Sequence, residues 1–387
     1  FVAQGFVGSA IIPRVPDLIA QLDISFVTWG LISGLTAVGA ALGLGAANTL
    51  LHRFGGKRVA LVSFVFVVLA QSSVGFLTNA FTYFVIATSI SFAMSTFNIS
   101  INSQAVVLQT ITGRVILGRF HASWSIGSAS SAAISGLLAS VLPLWFHLAS
   151  FAILGGVVWL FFGTRLLDRE EGFTADGAAS EKPGSWRLMP KRVYLLGLGL
   201  AVGVFPEAAM WDWSNVYGRE YLGYDVALAS IPYSVFALSM IVGRLTIDTV
   251  GKRVPLYLQA AVGATFGAIA LTASTLLGPS LTADGSFAGL VAISALWALA
   301  GLGAAPVTPS FLSSATLVSG MSTAQALARI SILEMGIIIV MKFAMGNVAQ
   351  VNGVGFAYWI PIVSWLSAAA IALWAFGLHK KQAATPV

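Results

Sequence analysis

The amino-acid sequence predicts an all-α integral membrane protein: twelve transmembrane helices in two pseudo-symmetric six-helix bundles, the first helix truncated at its N-terminus. Three observations carry this. Of 387 residues, 57% are hydrophobic and only 9% charged, with mean hydropathy +0.89. Soluble domains carry about 25% charged residues, so lipid must be the main solvent of this surface. Apolar runs near the length of a spanning helix, about 20 residues, recur along the whole chain. And Gly56-Lys57-Arg58-Val59 returns as Gly251-Lys252-Arg253-Val254, about 195 positions on, each copy lying between two apolar runs as in two homologous halves.

The first run, 1–21, holds Pro13 and Pro16 and is expected to kink or end there. The chain opens on Phe1, which places its start inside this helix, and residues 1–12 show no signal peptide. The other runs are 25–51, 59–77, 80–108, 119–142, 144–165, 191–217, 226–249, 254–277, 287–312, 322–349 and 354–378. All are read as helices, because lipid offers no partner to an unpaired backbone group. None shows the alternation of a transmembrane β-barrel. In the second run, Gly30/Gly34 and Gly39/Gly43 have the spacing that lets helices approach closely. Gly301, Gly303, Pro306 and Pro309 should interrupt the tenth, either to line a cavity or as a plain kink.

Basic residues collect in alternate turns: His52, Arg53, Lys57 and Arg58, then Arg114 and Arg119, then Lys252 and Arg253, with Lys380 and Lys381 in the tail. By the positive-inside rule that side is cytoplasmic, as are both termini. The predicted organisation is an N-terminal bundle over 1–165, a polar cytoplasmic linker over 166–190, and a C-terminal bundle with a short tail over 191–387.

Several function classes are disfavoured. There is no cysteine, so no disulfide or thiolate metal site. The four histidines are scattered, and neither H-E-x-x-H nor a P-loop occurs, so no metal, no cofactor and no direct ATP coupling are expected. The net charge of +6 is spread over short turns, which disfavours nucleic acid as a partner. No channel filter sequence is visible.

His52-Arg53-Phe54-Gly55-Gly56-Lys57-Arg58 between two apolar runs resembles the loop between helices two and three of the major facilitator superfamily, Gly-x-x-x-Asp-Arg-x-Gly-x-Arg/Lys. Arg53, Gly55 and the Lys57/Arg58 pair match; Asn48 replaces the Gly and His52 the Asp. The second copy, Gly243 to Arg253, has its Gly and, one place late, Asp248. Three segments also resemble a poorly characterised bacterial subfamily: Gly5 to Ser25, Asn102 to Gln109 followed by Gly118 to Ser125, and Glu207 to Tyr217 with Trp211-Asp212-Trp213-Ser214. The resemblance implies two bundles that rock about a central site, giving alternating access, and a monomer.

Ionisable residues inside a membrane are costly, so each is a functional candidate. Glu334 lies about 18 Å along the eleventh run, near the midplane, where a carboxyl could exchange protons or bind a cation; pairing with Lys342 is the structural alternative. Glu207 lies about 24 Å along the seventh run, in its outer half, on one face with Trp211 and Ser214. An acid beside an indole suits a proton site or a stacking solute, or else an inter-helix hydrogen bond. Asp17 and Asp212 align at the repeat offset and are read as structural or outer-gate residues. Asn98 and Asn102, four apart in the fourth run, suit a neutral polar solute or bind a neighbouring helix. Gln4 and Tyr233 are further lining candidates. His121 and Trp124 sit at the cytoplasmic end of the fifth run, where His121 titrates near neutrality or makes a hydrogen bond. Arg53 is assigned to gating by its motif position, and Arg329 is read as a cytoplasmic latch paired with Asp248 or a helix end, or else as an ordinary cytoplasmic-side charge.

These residues predict a secondary transporter of a small polar organic solute, coupled to protons or another ion through Glu207 or Glu334, in the cytoplasmic membrane. A proton-driven exporter of lipophilic compounds is the alternative, and a membrane-embedded enzyme or non-transporting receptor the reading from another class.

Overall fold

The computed structural model describes residues 1–113, 117–167, 191–251, 253–283, 285–313 and 323–383. Among these residues the regular structure is helical, without strands. Residues 168–190, most of the predicted linker, lie outside the described residues. The chain divides into two compact units: Phe1–Ala175 with Asp225–Ser230, and Asp176–Tyr224 with Ile231–Val387. The short helix Val226–Ala229 thus packs with the first unit although it follows the seventh run.

The first unit contains α1 (Val2–Ser9), α2 (Val15–Gln21), α3 (Phe26–Phe54), α4 (Gly56–Val74), α5 (Ala80–Thr112), α6 (Leu117–Ala139), α7 (Leu144–Gly163) and α9 (Val226–Ala229). Ser25 and Asn79 cap α3 and α5 by accepting from backbone amides two or three residues on. Pro13 and Pro16 divide the first run into α1, a 3-10 turn over Ile12–Arg14, and α2. Gly39 and Gly43 bring α3 onto α5: a Cβ at Gly43 would run into the Phe92 carbonyl oxygen. On the other side α1 meets α6 along a seam of small residues. Ser9 and Ser128 share a 2.6 Å hydrogen bond, and Ser131 and Ser135 donate to Phe6 O at 2.6 Å and Ala10 O at 2.7 Å. Gly5 lies against the Trp124 carbonyl and Gly127 against that of Val2. Phe64, Phe97 and Trp159 form the aromatic centre of the core, with ring centroids 4.7–5.3 Å apart.

The second unit contains α8 (Lys191–Val216), α10 (Ile231–Gly251), α11 (Leu256–Thr282), α12 (Phe287–Ala304), α13 (Val307–Ser313), α14 (Thr323–Asn352), α15 (Val354–Ala357) and α16 (Trp359–Ala383). A π turn, Tyr217–Tyr221, extends α8 beyond its expected end. The tenth run breaks into α12 and α13 at Ala305-Pro306. Gly263 and Gly303 face each other so closely that a Cβ on either would come within about 2.6 Å of the other's carbonyl oxygen.

Ten helical runs among the described residues are long and apolar enough to cross a membrane. They correspond to ten of the twelve expected spans. The other two are 1–21, divided by its prolines, and α6, where serines replace aliphatic side chains along the seam.

Candidate functional site

The polar groups that invite chemistry gather around α8. Its spanning segment is Val193–Tyr221, so Glu207 is 14 residues from either end. At 1.5 Å per residue that is about 21 Å each way. Glu207 therefore sits at the centre of the segment and not in its outer half, because the π turn lengthens the helix beyond Tyr217.

Both carboxylate oxygens of Glu207 are engaged. Arg244 of α10 donates from Nη2 to Oε2 at 2.9 Å, and Thr308 of α13 donates from Oγ1 to Oε1 at 3.0 Å. Thr308 stands in the first turn after the Ala305-Pro306 interruption, so the broken run delivers a hydroxyl to the buried acid. Glu334 of α14 is half-buried, makes no hydrogen bond or ion pair among the described residues, and lies within electrostatic range of Glu207.

Asp212 forms a second ion pair, Oδ2 to Lys342 Nζ at 2.7 Å, with 12% and 15% of the side chains exposed. Lys342 thus pairs across to α8 and not with Glu334. Eight residues of helix separate Glu334 from Lys342, a rise of about 12 Å, which side chains do not close. The Trp211 indole meets the Tyr233 ring edge-on, centroids 6.3 Å apart. Tyr233 is 4% exposed and lies within electrostatic range of both Glu207 and Asp212. The second unit therefore brings together Glu207, Trp211, Asp212, Tyr233 and Glu334. Ser214 is buried, one turn from Trp211.

The first-unit candidates are placed differently. Asn102 donates from Nδ2 to the Asn98 carbonyl at 2.8 Å and to the Asn98 side-chain oxygen, so its NH2 group is taken up along its own helix. Asn98 is exposed and Asn102 half-buried. Gln4 is buried in α1. Asp17 pairs with Arg14 at 3.0 Å; Arg14 is itself buried and donates to the Ala139 and Leu142 carbonyls at the end of α6. Asp17 thus steadies a helix-capping arginine. Arg53 is exposed, its guanidinium 5.3 Å from the Phe54 ring centroid. His121 is exposed and its ring meets that of Phe1. Arg329 is half-buried on α14, but the Asp248 side chain, and with it the expected latch, lies outside the described residues.

Two residues of this arrangement carry no role in the sequence reading. Arg244 belongs to the second copy of the repeated motif, and Thr308 lies between Pro306 and Pro309. A charge or hydroxyl beside a motif or helix break was the available signal. Among the described residues no group of three or more His, Asp or Glu could hold a metal ion.

Residues 1–340 match the family described as Major Facilitator Superfamily. An uncharacterised MFS-type transporter of Yersinia pestis is 25% identical over 374 residues, covering 96% of this chain and 93% of the relative. A point mutant of the nucleoside transporter NupG superposes with a TM-score of 0.75 at 14% identity, over 97% of each chain. A D-xylose-proton symporter gives 0.65 at 15% identity, over 96% of this chain and 94% of the other. With ten apolar spans among the described residues, a repeated basic turn and a match over residues 1–340, this multi-pass membrane protein belongs to the Major Facilitator Superfamily of transporters.

Proposed function

We propose that this chain is a proton-coupled secondary transporter of a small, neutral, hydroxyl-bearing solute, working by alternating access in the cytoplasmic membrane with both termini cytoplasmic. The observation that carries the reading is Glu207, held at the centre of its span by Arg244 and Thr308 with Glu334 nearby. Two carboxyl groups and one guanidinium form a set that one proton neutralises, and in low dielectric a net charge is costly. Loading and releasing that proton is the coupling step. Asp212 and Lys342 already cancel each other and stand outside this balance.

The solute class follows from neutral polar and aromatic side chains in each unit. Trp211 and Tyr233 offer an aromatic edge and a phenol, and Asn98 and Asn102 offer amides. Such groups suit a sugar or nucleoside, the solutes named for two structural neighbours. Gln4 is a further lining candidate. Arg53, Asp248 and Arg329 are proposed to gate, with Asp17 and Asp212 fixing helix ends and pairs.

The test is flux into proteoliposomes under an imposed pH gradient, with a nucleoside and D-xylose as probes chosen by thermal shift. Glu207→Gln and Glu334→Gln should each abolish accumulation driven by the gradient. Unchanged pH-driven flux in both variants rejects proton coupling through this set. Thermal shifts only with lipophilic cations would reject the hydroxyl-bearing solute.

A further inference from the structure

Pro206 removes one backbone donor from the middle of α8. In an unbroken helix that amide would meet the carbonyl four residues back, that of Val202. Here Ser364 of α16 donates its hydroxyl to Val202 O at 2.6 Å. Its neighbour Trp365 donates from Nε1 to the next carbonyl, Gly203 O, at 3.1 Å. Both side chains are buried, and the Trp365 ring lies against Gly267 of α11, where a Cβ would come within 2.9 Å of it. Two consecutive carbonyls of the broken turn are thus held from α16. The residue after the proline is Glu207, held from α10 and α13.

We propose that Ser364 is a positioning residue for Glu207: its hydroxyl replaces the amide that Pro206 lacks and fixes the turn that aims the carboxyl at Arg244 and Thr308. Val202 and Ser364 are buried, so a carbonyl left unpaired there would be costly, and transmembrane helices that contain proline recover the lost bond through neighbouring helices and serine or threonine side chains. Without Ser364 the turn rotates toward another donor, and Glu207, five residues on from Val202, rotates with it. Among the described residues the ionisable groups facing Glu207 are Arg244 and Tyr233 on α10 and Glu334 on α14. Ser364 and Trp365 add no charge, so any effect on Glu207 is geometric. The inference rests on Glu207 being the group that takes up the proton.

The experiment follows the carboxyl directly and needs no solute. Infrared difference spectra of the full chain in liposomes are recorded through a pH titration, and the band missing in Glu207→Gln is assigned to Glu207. Ser364→Ala should displace the midpoint of that band by about one pH unit and shift its carbonyl stretch, while Ser364→Thr keeps both as in the parent chain. Pro206→Ala restores the amide to Val202, so Pro206→Ala/Ser364→Ala should return to the spectrum of Pro206→Ala alone. A Ser364→Ala band with the parent midpoint and frequency overturns the inference and leaves the role of Glu207 standing. So does a double variant that differs from Pro206→Ala. If Ser364→Ala does not fold, the comparison of double and single Pro206 variants decides alone. If Glu207→Gln removes no titrating band, the proton reading falls and this inference with it.

Discussion

In the first unit α1 meets α6 through serine hydroxyls and glycines; in the second, α8 meets α10 and α14 through ion pairs. The run of α1 and α2 and the helix α8 open the two halves of the repeat, and Asp17 of α2 and Asp212 of α8 occupy matching places at the repeat offset. Yet Asp17 pairs with Arg14 three residues away, whereas Asp212 reaches another helix. A hydroxyl bonded to a helix carbonyl adds no charge and has no second state near neutral pH. A carboxyl shared among a guanidinium, a hydroxyl and a second carboxyl nearby has two, differing by one proton. Under the proposed coupling, the contrast leaves packing to one unit's leading run and gives proton chemistry to the other's leading helix.

Breaking one ion pair tests that contrast most strongly. Asp212→Leu alone or Lys342→Met alone leaves its partner's charge buried and should cost about 3–5 kcal/mol, read as a lower melting temperature in detergent. The double variant Asp212→Leu/Lys342→Met leaves no orphaned charge and should recover most of that loss. If the double variant melts as low as the singles, the pair holds the helices by more than charge compensation. In the first unit the charge pair beside the seam, Arg14–Asp17, lies within one run, and Arg14 reaches the end of α6 through backbone carbonyls.

The glycine contacts come next. Gly43→Leu puts a side chain where even a Cβ already collides with the Phe92 carbonyl. Backbone cannot yield as a flexible side chain does, so the variant should lose about 1–3 kcal/mol or more. Gly45→Leu, two residues away with nothing within 4 Å of its Cβ position, is the control and should stay within about 0.5 kcal/mol of the parent. Equal effects from both would show that α3 and α5 do not depend on close approach at Gly43.

These glycines also mark how far the sequence could be read. Span positions were legible because lipid demands about 20 apolar residues regardless of neighbours. Breaks at Pro13, Pro16 and Pro306 were legible because proline acts locally. Partners were not. In a water-soluble helix the polar stripe marks the outside, but a lipid-facing surface is as apolar as a core. Trp159 is buried while Phe161 and Phe162 on the same helix are exposed, and nothing in their chemistry tells them apart. Hence Glu207 could be singled out as a costly buried acid, while Arg244, 37 positions away, could not be named its partner. The depth of Glu207 escapes the sequence for a different reason, since the π turn at Tyr217 leaves no signature in composition.

Smaller effects are expected along the seam. Ser131→Ala and Ser135→Ala each remove one inter-helix hydrogen bond to a carbonyl of the first run, at about 0.6 kcal/mol apiece. Their double variant should show near-additive loss of melting temperature with no change in the pH profile of flux. A displaced pH profile would mean that the neutral seam also communicates with proton uptake, and the contrast between the units would fail.

Asn102→Ala separates folding from solute contact most finely. The Asn102 amide donates to Asn98 on its own helix, so its removal orphans no buried group elsewhere and should cost under about 0.5 kcal/mol in stability. If the Asn98–Asn102 pair presents its amides to a hydroxylated solute, the same variant loses a hydrogen bond worth about 1.4 kcal/mol, and KM for the nucleoside or sugar rises roughly tenfold with kcat unchanged. A parent-like KM with parent-like melting would make the pair a helix-internal contact, and solute recognition would rest on Trp211 and Tyr233. Those two side chains lie within one turn or one ring contact of the charged groups, so recognition and proton handling would then fall in the same unit.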